Sequence, residues 1–213
     1  MKIIVFGATG DVGSRVVKEA LSRQHEVTAV VRNEAGLKKL PSAVASIIAD
    51  ANDPAAVASA MEGQDLAISA VRPPAGQEGE IVALTRCILA GASQAKVRVI
   101  IVGGAARLRL PGGSPHTVLS DPNFLPENIV PIARASFAQS ELCTSDTEAD
   151  WTYASPSALL QPGQRHGEFR MGTDTLLVDA EGNSEISMED FAVALVDEAQ
   201  SARFVRASFT AGY

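Results

Sequence analysis

The chain has 213 residues, of which 46% are hydrophobic and 20% are charged. This length and composition are typical of one globular domain with a substantial core. The formal charge of -7 at pH 7 would repel a phosphate backbone, so we expect no nucleic-acid partner.

Targeting and metal signals are weak throughout the chain. The two cysteines do not have zinc-ligand spacing. No apolar run approaches the roughly 18 residues of a membrane span, and the apolar N-terminal run is too short for a signal peptide. We therefore expect a cytoplasmic protein with no metal and no membrane partner.

Short, continuous apolar runs recur along the chain and predict buried strands. The predicted strands cover residues 3–6, 27–31, 46–49, 66–71, 97–102, 151–155 and 203–210. Because helical segments separate these strands, we predict an α/β fold: a Rossmann-type, doubly wound, mostly parallel sheet in a single domain of residues 1–213.

Four helices carry recognisable signals. An apolar stripe marks the first helix, and Asp53-Pro54 begins the second. Residues 132–147 form the third. Ser187 opens a capping box for the last helix, which ends near Gln200. The stripe of the first helix consists of Val12, Val16, Val17, Ala20 and Leu21.

Residues 103–131 are rich in proline and glycine, which predicts a long loop after the fifth strand. Residues 162–179 are typical of a loop with one short strand. We expect residues 104–131 and 155–183 to form substrate-side elements, the second of them a small C-terminal lobe.

A glycine-rich turn follows the first predicted strand and opens the first helix. Three glycines at this spacing permit a tight turn, close approach of a pyrophosphate and close helix–strand packing. A purely structural turn is the alternative. We predict a dinucleotide site with contacts from Gly7, Thr9, Gly10, Asp11, Val12 and Gly13.

The end of the second strand bears on the choice between NADPH and NADH. Many NAD-binding proteins have an acidic residue there, whereas this chain has Arg32 followed by Asn33. A guanidinium can hold a 2′-phosphate through paired hydrogen bonds. Glu34 is a counter-signal and a solvated surface arginine is the alternative, but the pattern favours NADPH over NADH.

Other strand ends are expected to line the cofactor groove, because ligands of open α/β sheets bind beyond the carboxyl ends of the strands. Asp50 either meets the adenine or is a simple turn residue, and Pro156 either borders the nicotinamide or merely begins a loop. The predicted lining residues are Asp50, Ala51, Ser69, Ala70, Val71, Gly103, Gly104 and Pro156.

Five segments together resemble a known family. They are Gly7-Ala8-Thr9-Gly10-x-x-Gly13, Val31-Arg32-Asn33, Val102-Gly103-Gly104-Ala105, Asp150-Trp151-Thr152-Tyr153 and Gly172-Thr173-Asp174. The chain resembles the atypical short-chain dehydrogenase/reductases, in the NAD(P)H-binding NADH-flavin reductase branch, which is related to NmrA-like proteins and to biliverdin-IXβ/flavin reductase. The resemblance extends over nearly the whole chain.

Two departures from the family pattern matter. Relatives often continue Gly-Gly-Ala-Gly-Ser, whereas this chain has Ala106 and Arg107 at the last two positions. Ordinary members of the superfamily also use a Tyr-x-x-x-Lys pair, and the predicted helix over residues 132–147 contains neither residue. The usual proton donor for alcohol–ketone chemistry is therefore missing.

Hydride transfer without that donor suits a flat conjugated acceptor such as a flavin or quinone. We therefore expect an NADPH-dependent reductase with a small-molecule substrate, acting as a monomer or homodimer. A non-catalytic NADP(H)-binding redox sensor of NmrA-like type is the alternative. The expected substrate pocket comprises Arg72, Ala105, Pro156 and His166. His166 is the one candidate proton donor, with a solvated loop histidine as its alternative.

Overall fold

The computed structural model describes all 213 residues. It contains ten strands and six α-helices, which loops and turns connect. The strands are β1 (Lys2–Phe6), β2 (Glu26–Val31), β3 (Ala45–Ile48), β4 (Leu66–Ser69), β5 (Arg98–Val102), β6 (Trp151–Pro156), β7 (Leu159–Gln161), β8 (Arg170–Gly172), β9 (Glu185–Ser187) and β10 (Ala207–Gly212). The helices are α1 (Asp11–Ser22), α2 (Glu34–Leu37), α3 (Pro54–Met61), α4 (Glu80–Ala95), α5 (Val130–Ser145) and α6 (Met188–Ser201).

Eight strands form one sheet in the order β3-β2-β1-β4-β5-β6-β10-β8. All neighbouring pairs are parallel except β10 and β8, in which Thr210 faces Gly172. The chain starts at β1, winds outward to β3 and returns to β4 on the other side of β1. This reversal creates a crevice above β1 and β4, where a ligand of a doubly wound sheet binds. The predicted fold class is confirmed.

Helices cover both faces of the sheet, so successive residues of β1 are buried on opposite sides. Ile3 and Val5 pack toward α1 and α6, whereas Ile4 and Phe6 pack toward α3 and α4. Complete burial of each such side chain contributes about 1.5–3 kcal/mol. The continuous apolar runs in the sequence follow from this two-sided burial.

A small third core lies beyond the carboxyl ends of the strands. Leu108, Val118 and Leu176 pack together there, and Arg109 forms isolated β-bridges with Thr117 and Thr175. The two segments expected on the substrate side are thus joined to each other by backbone hydrogen bonds and an apolar cluster.

The last strand differs from its prediction, since it covers Ala207–Gly212 instead of residues 203–210. The buried Glu198 carboxylate accepts hydrogen bonds from the amides of Arg203 (3.2 Å) and Phe204 (2.9 Å). Arg206 has a left-handed φ of 53°. These interactions hold residues 203–206 in a turn before the strand begins.

Ser187 caps α6 as predicted, because its side chain accepts a hydrogen bond from the Asp190 amide at 2.9 Å. The second half of the expected capping box is not formed. Asp190 instead accepts hydrogen bonds from the Gly167 amide and from the Tyr213 hydroxyl. None of the six helices is long and apolar enough to cross a membrane.

Candidate cofactor and substrate site

The glycine-rich turn lies between β1 and α1, against the end of β4. Gly7 has a left-handed φ of +75°, and a Cβ there would lie 2.5 Å from the Ala70 carbonyl oxygen. A Cβ on Gly13 would lie 2.1 Å from the Gly7 carbonyl oxygen. Both positions therefore exclude any side chain, and the turn brings the predicted residues Gly7, Ala70 and Gly13 together.

The first turn of α1 presents unpaired backbone amides. The Ser14 amide makes the first bond of the helix, to the Gly10 carbonyl at 3.0 Å, and the Gly10 amide bonds to Gly7 at 3.0 Å. The amides of Asp11, Val12 and Gly13 have no acceptor in the protein, and no side chain caps the helix. Donors at a helix N-terminus attract an anion, so these residues fit the pyrophosphate of a dinucleotide. Thr9 is exposed beside them.

Arg32 lies at the end of β2 with an exposed side chain and no ion pair or hydrogen bond. The neighbouring Asn33 caps α2 by accepting a hydrogen bond from the Gly36 amide at 3.2 Å. Gly36 in turn packs against Val31, since a Cβ on it would lie 2.8 Å from the Val31 Cβ. The short helix therefore fixes the backbone around Arg32 and leaves its guanidinium free.

Asp50 forms a turn, which is one of the two roles that the sequence suggested for it. Its Oδ1 accepts hydrogen bonds from the Asn52 amide at 2.9 Å and from the Asn52 side chain at 3.1 Å. Ala51 is buried in the core beside it, at 9% exposure. The Asp50 carboxylate therefore shapes the turn after β3, and contacts of Asp50 and Ala51 with the cofactor stay a prediction.

The ends of β4 and β5 form the floor of the crevice. Ser69 pairs in register with Phe6, next to Gly7. The Gly103 amide bonds to the Ala154 carbonyl at 2.9 Å. A Cβ on Gly104 would lie 2.8 Å from the Ser136 hydroxyl oxygen. Small residues are therefore required at the end of β5, where helix α5 approaches.

Tyr153 is completely buried on β6 beneath this floor. Its hydroxyl donates to the Ser136 carbonyl at 2.8 Å and accepts a hydrogen bond from the Gly104 amide at 3.3 Å. Burial raises the pKa of the Tyr153 phenol above its ordinary value. Tyr153 supports the floor from below and has no access to a substrate.

Helix α5 contains no tyrosine and no lysine. The buried Gln139 side chain donates to the Thr85 hydroxyl at 3.0 Å, and the Ser136 hydroxyl donates to the Ala133 carbonyl at 3.1 Å. These side chains serve helix packing. The ionisable side chains of α5 are Arg134 and Glu141, which are exposed, and Cys143, which is buried in the core, where burial raises the pKa of its thiol.

Arg107 is a further candidate for the substrate site. The sequence indicated it only as a departure from the family pattern. It ends the 3-10 turn of residues Ala105–Arg107 that directly follows Gly104. Its guanidinium donates to the Thr173 carbonyl at 3.0 Å and forms an ion pair with Asp174. Arg107 thereby joins the two substrate-side segments.

The remaining pocket candidates follow or end three neighbouring strands, β4, β5 and β6. Arg72 is exposed after β4, and Ala105 packs partly buried against the small third core. Pro156 is buried and faces Ala211 across β6 and β10. These three residues all lie near the carboxyl ends of strands.

His166 lies at the surface, beside the end of the last strand. Its ring is exposed and packs edge-on against Tyr213, with centroids 6.1 Å apart. Arg165 pairs with Glu19 of α1, and the Gly167 amide donates to Asp190 of α6. These bonds fasten residues 163–167 to α1 and α6, and the role of His166 as a proton donor stays a prediction.

Three solved structures resemble the chain over its whole length. A putative exported protein from Burkholderia pseudomallei is 39% identical, with a TM-score of 0.89 and 100% of both chains covered. A putative epimerase from Bacteroides thetaiotaomicron is 36% identical, with a TM-score of 0.89 and 100% of this chain and 96% of that chain covered. A putative NADH-flavin reductase from Streptococcus pneumoniae is 26% identical, with a TM-score of 0.86 and coverage of 100% and 99%.

The family model described as NAD(P)H-binding matches residues 7–202. The match starts at the first glycine of the turn and ends just after α6, so it includes the crevice and both substrate-side segments. Together with the unpaired amides at the start of α1, it shows that the cofactor is a nicotinamide dinucleotide. The chain belongs to the NAD(P)H-binding family.

Proposed function

We propose that the protein is an NADPH-dependent reductase that transfers hydride to a flat conjugated acceptor such as a flavin or a quinone. One observation carries the proposal. The groove keeps the amides and glycines that hold a dinucleotide, but its floor offers no side chain that can donate a proton. Tyr153 is buried beneath Gly103 and Gly104, and α5 has no tyrosine or lysine.

The chemistry of the acceptor explains why such a site can work. The bound nicotinamide supplies a hydride, which carries two electrons. A flavin or quinone distributes the added charge over its rings and takes a proton from water, whereas an isolated ketone needs an acid at its oxygen. The protein then has mainly to hold donor and acceptor about 3–3.5 Å apart. Gly103, Gly104 and Pro156 provide small or rigid surfaces for this purpose.

The preference for NADPH rests on Arg32. Its guanidinium is exposed at the end of β2 and is not engaged by any carboxylate. Because α2 fixes the backbone around Arg32 and leaves the guanidinium free, this group can bond a 2′-phosphate through its planar fork. Glu34 lies in the first turn of α2 and does not pair with Arg32. The segment thus offers a cation for a 2′-phosphate, Arg32, and a carboxylate for a ribose, Glu34. Arg32 is the nearer of the two to the end of β2.

The names of two neighbours bear on the reaction. The Streptococcus pneumoniae protein is described as an NADH-flavin reductase, which supports a flat acceptor for this chain. The Bacteroides thetaiotaomicron protein is described as an epimerase, but epimerisation in this superfamily normally uses the tyrosine that α5 lacks. We propose Arg72, Ala105 and Pro156 as pocket residues, and the role of His166 stays a prediction.

A redox sensor that binds NADP(H) without turnover is the second candidate, because the same absence of a proton donor favours it. A sensor must bind the oxidised and reduced cofactor with different affinity, since a ligand shifts a conformational equilibrium only through differential binding. A reductase has no such requirement. The two candidates therefore differ in turnover and in this affinity ratio.

The test is NADPH oxidation by the purified protein, followed by nicotinamide absorbance, with FMN, riboflavin and a simple quinone as acceptors and NADH as the comparison. The proposal expects turnover well above the uncatalysed rate and faster with NADPH than with NADH. Binding of NADPH, measured by calorimetry, without turnover on any acceptor would instead establish the sensor.

A further inference from the structure

The two side chains of the ion pair between Arg107 and Asp174 differ in solvent exposure. The Arg107 side chain is 19% exposed, whereas the Asp174 side chain is 64% exposed. Arg107 also donates to the Thr173 carbonyl, a fixed main-chain group. Asp174 has no second side-chain hydrogen bond. The guanidinium is therefore held in place, while the carboxylate can turn into solvent.

The backbone around Arg107 is rigid. The 3-10 turn is closed by a bond from the Leu108 amide to the Ala105 carbonyl at 2.9 Å, and the Leu119 amide bonds to Ala106 at 3.1 Å. On the other side, the Arg109 amide bonds to the Asp174 carbonyl at 2.7 Å. These bonds fix the main chain of Arg107 relative to the end of β5, five residues earlier.

An ion pair with one solvent-exposed partner contributes little to stability, so turning the exposed Asp174 carboxylate away from Arg107 costs little. A guanidinium binds a phosphate or carboxylate with two parallel hydrogen bonds, which are stronger than those between neutral groups. An anionic group that enters the groove beside Gly104 would thus replace the Asp174 carboxylate and gain a preorganised partner.

We propose that Arg107 selects an acceptor that carries an anionic oxygen group, with Asp174 pairing the guanidinium until the acceptor displaces it. This inference rests on the proposed function, because it assumes that the acceptor occupies the groove beside Gly103 and Gly104. It adds a specificity-determining residue and a substrate class: conjugated acceptors with a phosphate or carboxylate.

The test compares matched acceptors that differ by one anionic group. FMN and riboflavin form one pair, and a carboxylated and a plain benzoquinone form the other, so the two arms distinguish phosphate from carboxylate. Arg107→Gln should raise KM by about tenfold for the charged member of at least one pair, which corresponds to about 1.4 kcal/mol. It should change KM for the uncharged member by less than about twofold.

Asp174→Asn provides the decisive contrast, because it removes the competing carboxylate and should lower KM for the same charged acceptor. A merely structural ion pair would instead make both substitutions harmful to all acceptors alike. Arg107→Lys, which keeps the charge without the planar fork, should recover part of the lost affinity. Arg109→Gln, at an exposed arginine two residues away, is the control for general loss of positive charge.

Equal effects of Arg107→Gln on charged and uncharged acceptors in both pairs would overturn the inference. So would an equally selective loss in Arg109→Gln, or a rise in KM for charged acceptors in Asp174→Asn. If the wild-type protein oxidises NADPH with none of the acceptors, the proposed function fails. Flavin fluorescence titration in the presence of NADP+ then still tests Arg107, and a wild-type protein that binds FMN no better than riboflavin would contradict its assignment.

Discussion

The ring of Tyr153 occupies the space that a side chain at position 103 would need, because a Cβ on Gly103 would lie 2.0 Å from the Tyr153 Cζ. The hydroxyl of the same ring bonds to the Gly104 amide and the Ser136 carbonyl. The floor of the groove is thus a glycine pair resting on a buried phenol. Tyr153 could be mistaken for a catalytic acid, but its role here is to support the groove structurally.

Tyr153→Phe should keep most of the reductase activity, since the phenol does not reach the substrate. Loss of its hydrogen bonds should reduce the free energy of unfolding by about 1–2 kcal/mol. Steady-state rates and urea denaturation measure the two effects. A hundredfold fall in kcat with unchanged stability would show that Tyr153 takes part in catalysis.

Gly13→Ala should abolish cofactor binding, because the new methyl group would collide with the Gly7 carbonyl and distort the turn. The distortion moves the amides of Asp11 and Val12 away from the pyrophosphate. Calorimetric titration with NADPH measures this loss. Gly79→Ala is the matched control, since a Cβ at Gly79 meets no atom within 4 Å. Undiminished binding in Gly13→Ala would remove the turn from the site.

Arg32→Ala should weaken NADPH binding by about ten- to a hundredfold, the range that follows from losing hydrogen bonds between charged groups. NADH has no 2′-phosphate, so its Kd should stay within about twofold. Titration with both cofactors measures the difference. Arg86→Ala, at an exposed arginine of α4 without an ion pair, serves as control. Equal losses for NADPH and NADH would refute the assignment of Arg32.

Stability should depend on Glu19 in acid. The hydrogen bond from Arg165 is the main reason that the pKa of Glu19 is lowered from 4.5 in the folded protein. A carboxylate with a lowered pKa stabilises the fold above its unfolded pKa, and the stabilisation disappears as pH falls through the folded pKa. Glu19→Gln should therefore lower the free energy of unfolding at neutral pH and flatten its acid dependence.

Urea denaturation at several pH values measures this effect, with the exposed Glu62→Gln as control. A Glu19→Gln variant with the same acid dependence as the wild-type protein would show that the Glu19–Arg165 pair contributes nothing to the pH response.

The sheet and the first β–α turn were predictable because their signals are local. Continuous apolar runs mark strands buried on both faces, and the constraints on Gly7 and Gly13 arise from atoms a few residues away or on the adjacent strand. The short parallel pair β7–β9 was not predicted. Its strands of three residues each pair across more than twenty residues, and no periodicity reveals such a contact.

The substrate side was less predictable, since long-range polar contacts determine it. The position of His166 depends on Arg165 meeting Glu19 and on Gly167 meeting Asp190, each far away in sequence. Arg107 was visible as a departure from the family pattern, but only the structure shows its partner, Asp174. A charge that pairs across 67 residues leaves no signal in a single sequence.

The most direct test of the central claim is the class of acceptor that the protein reduces. NADPH oxidation should be measured with a quinone and with a simple aliphatic ketone under identical conditions, with Gly13→Ala as the cofactor-free baseline. We expect turnover of the quinone and none of the ketone, because the groove holds the cofactor without supplying a proton. Turnover of the ketone would contradict the account, since it would require a proton donor that the floor of the groove does not provide.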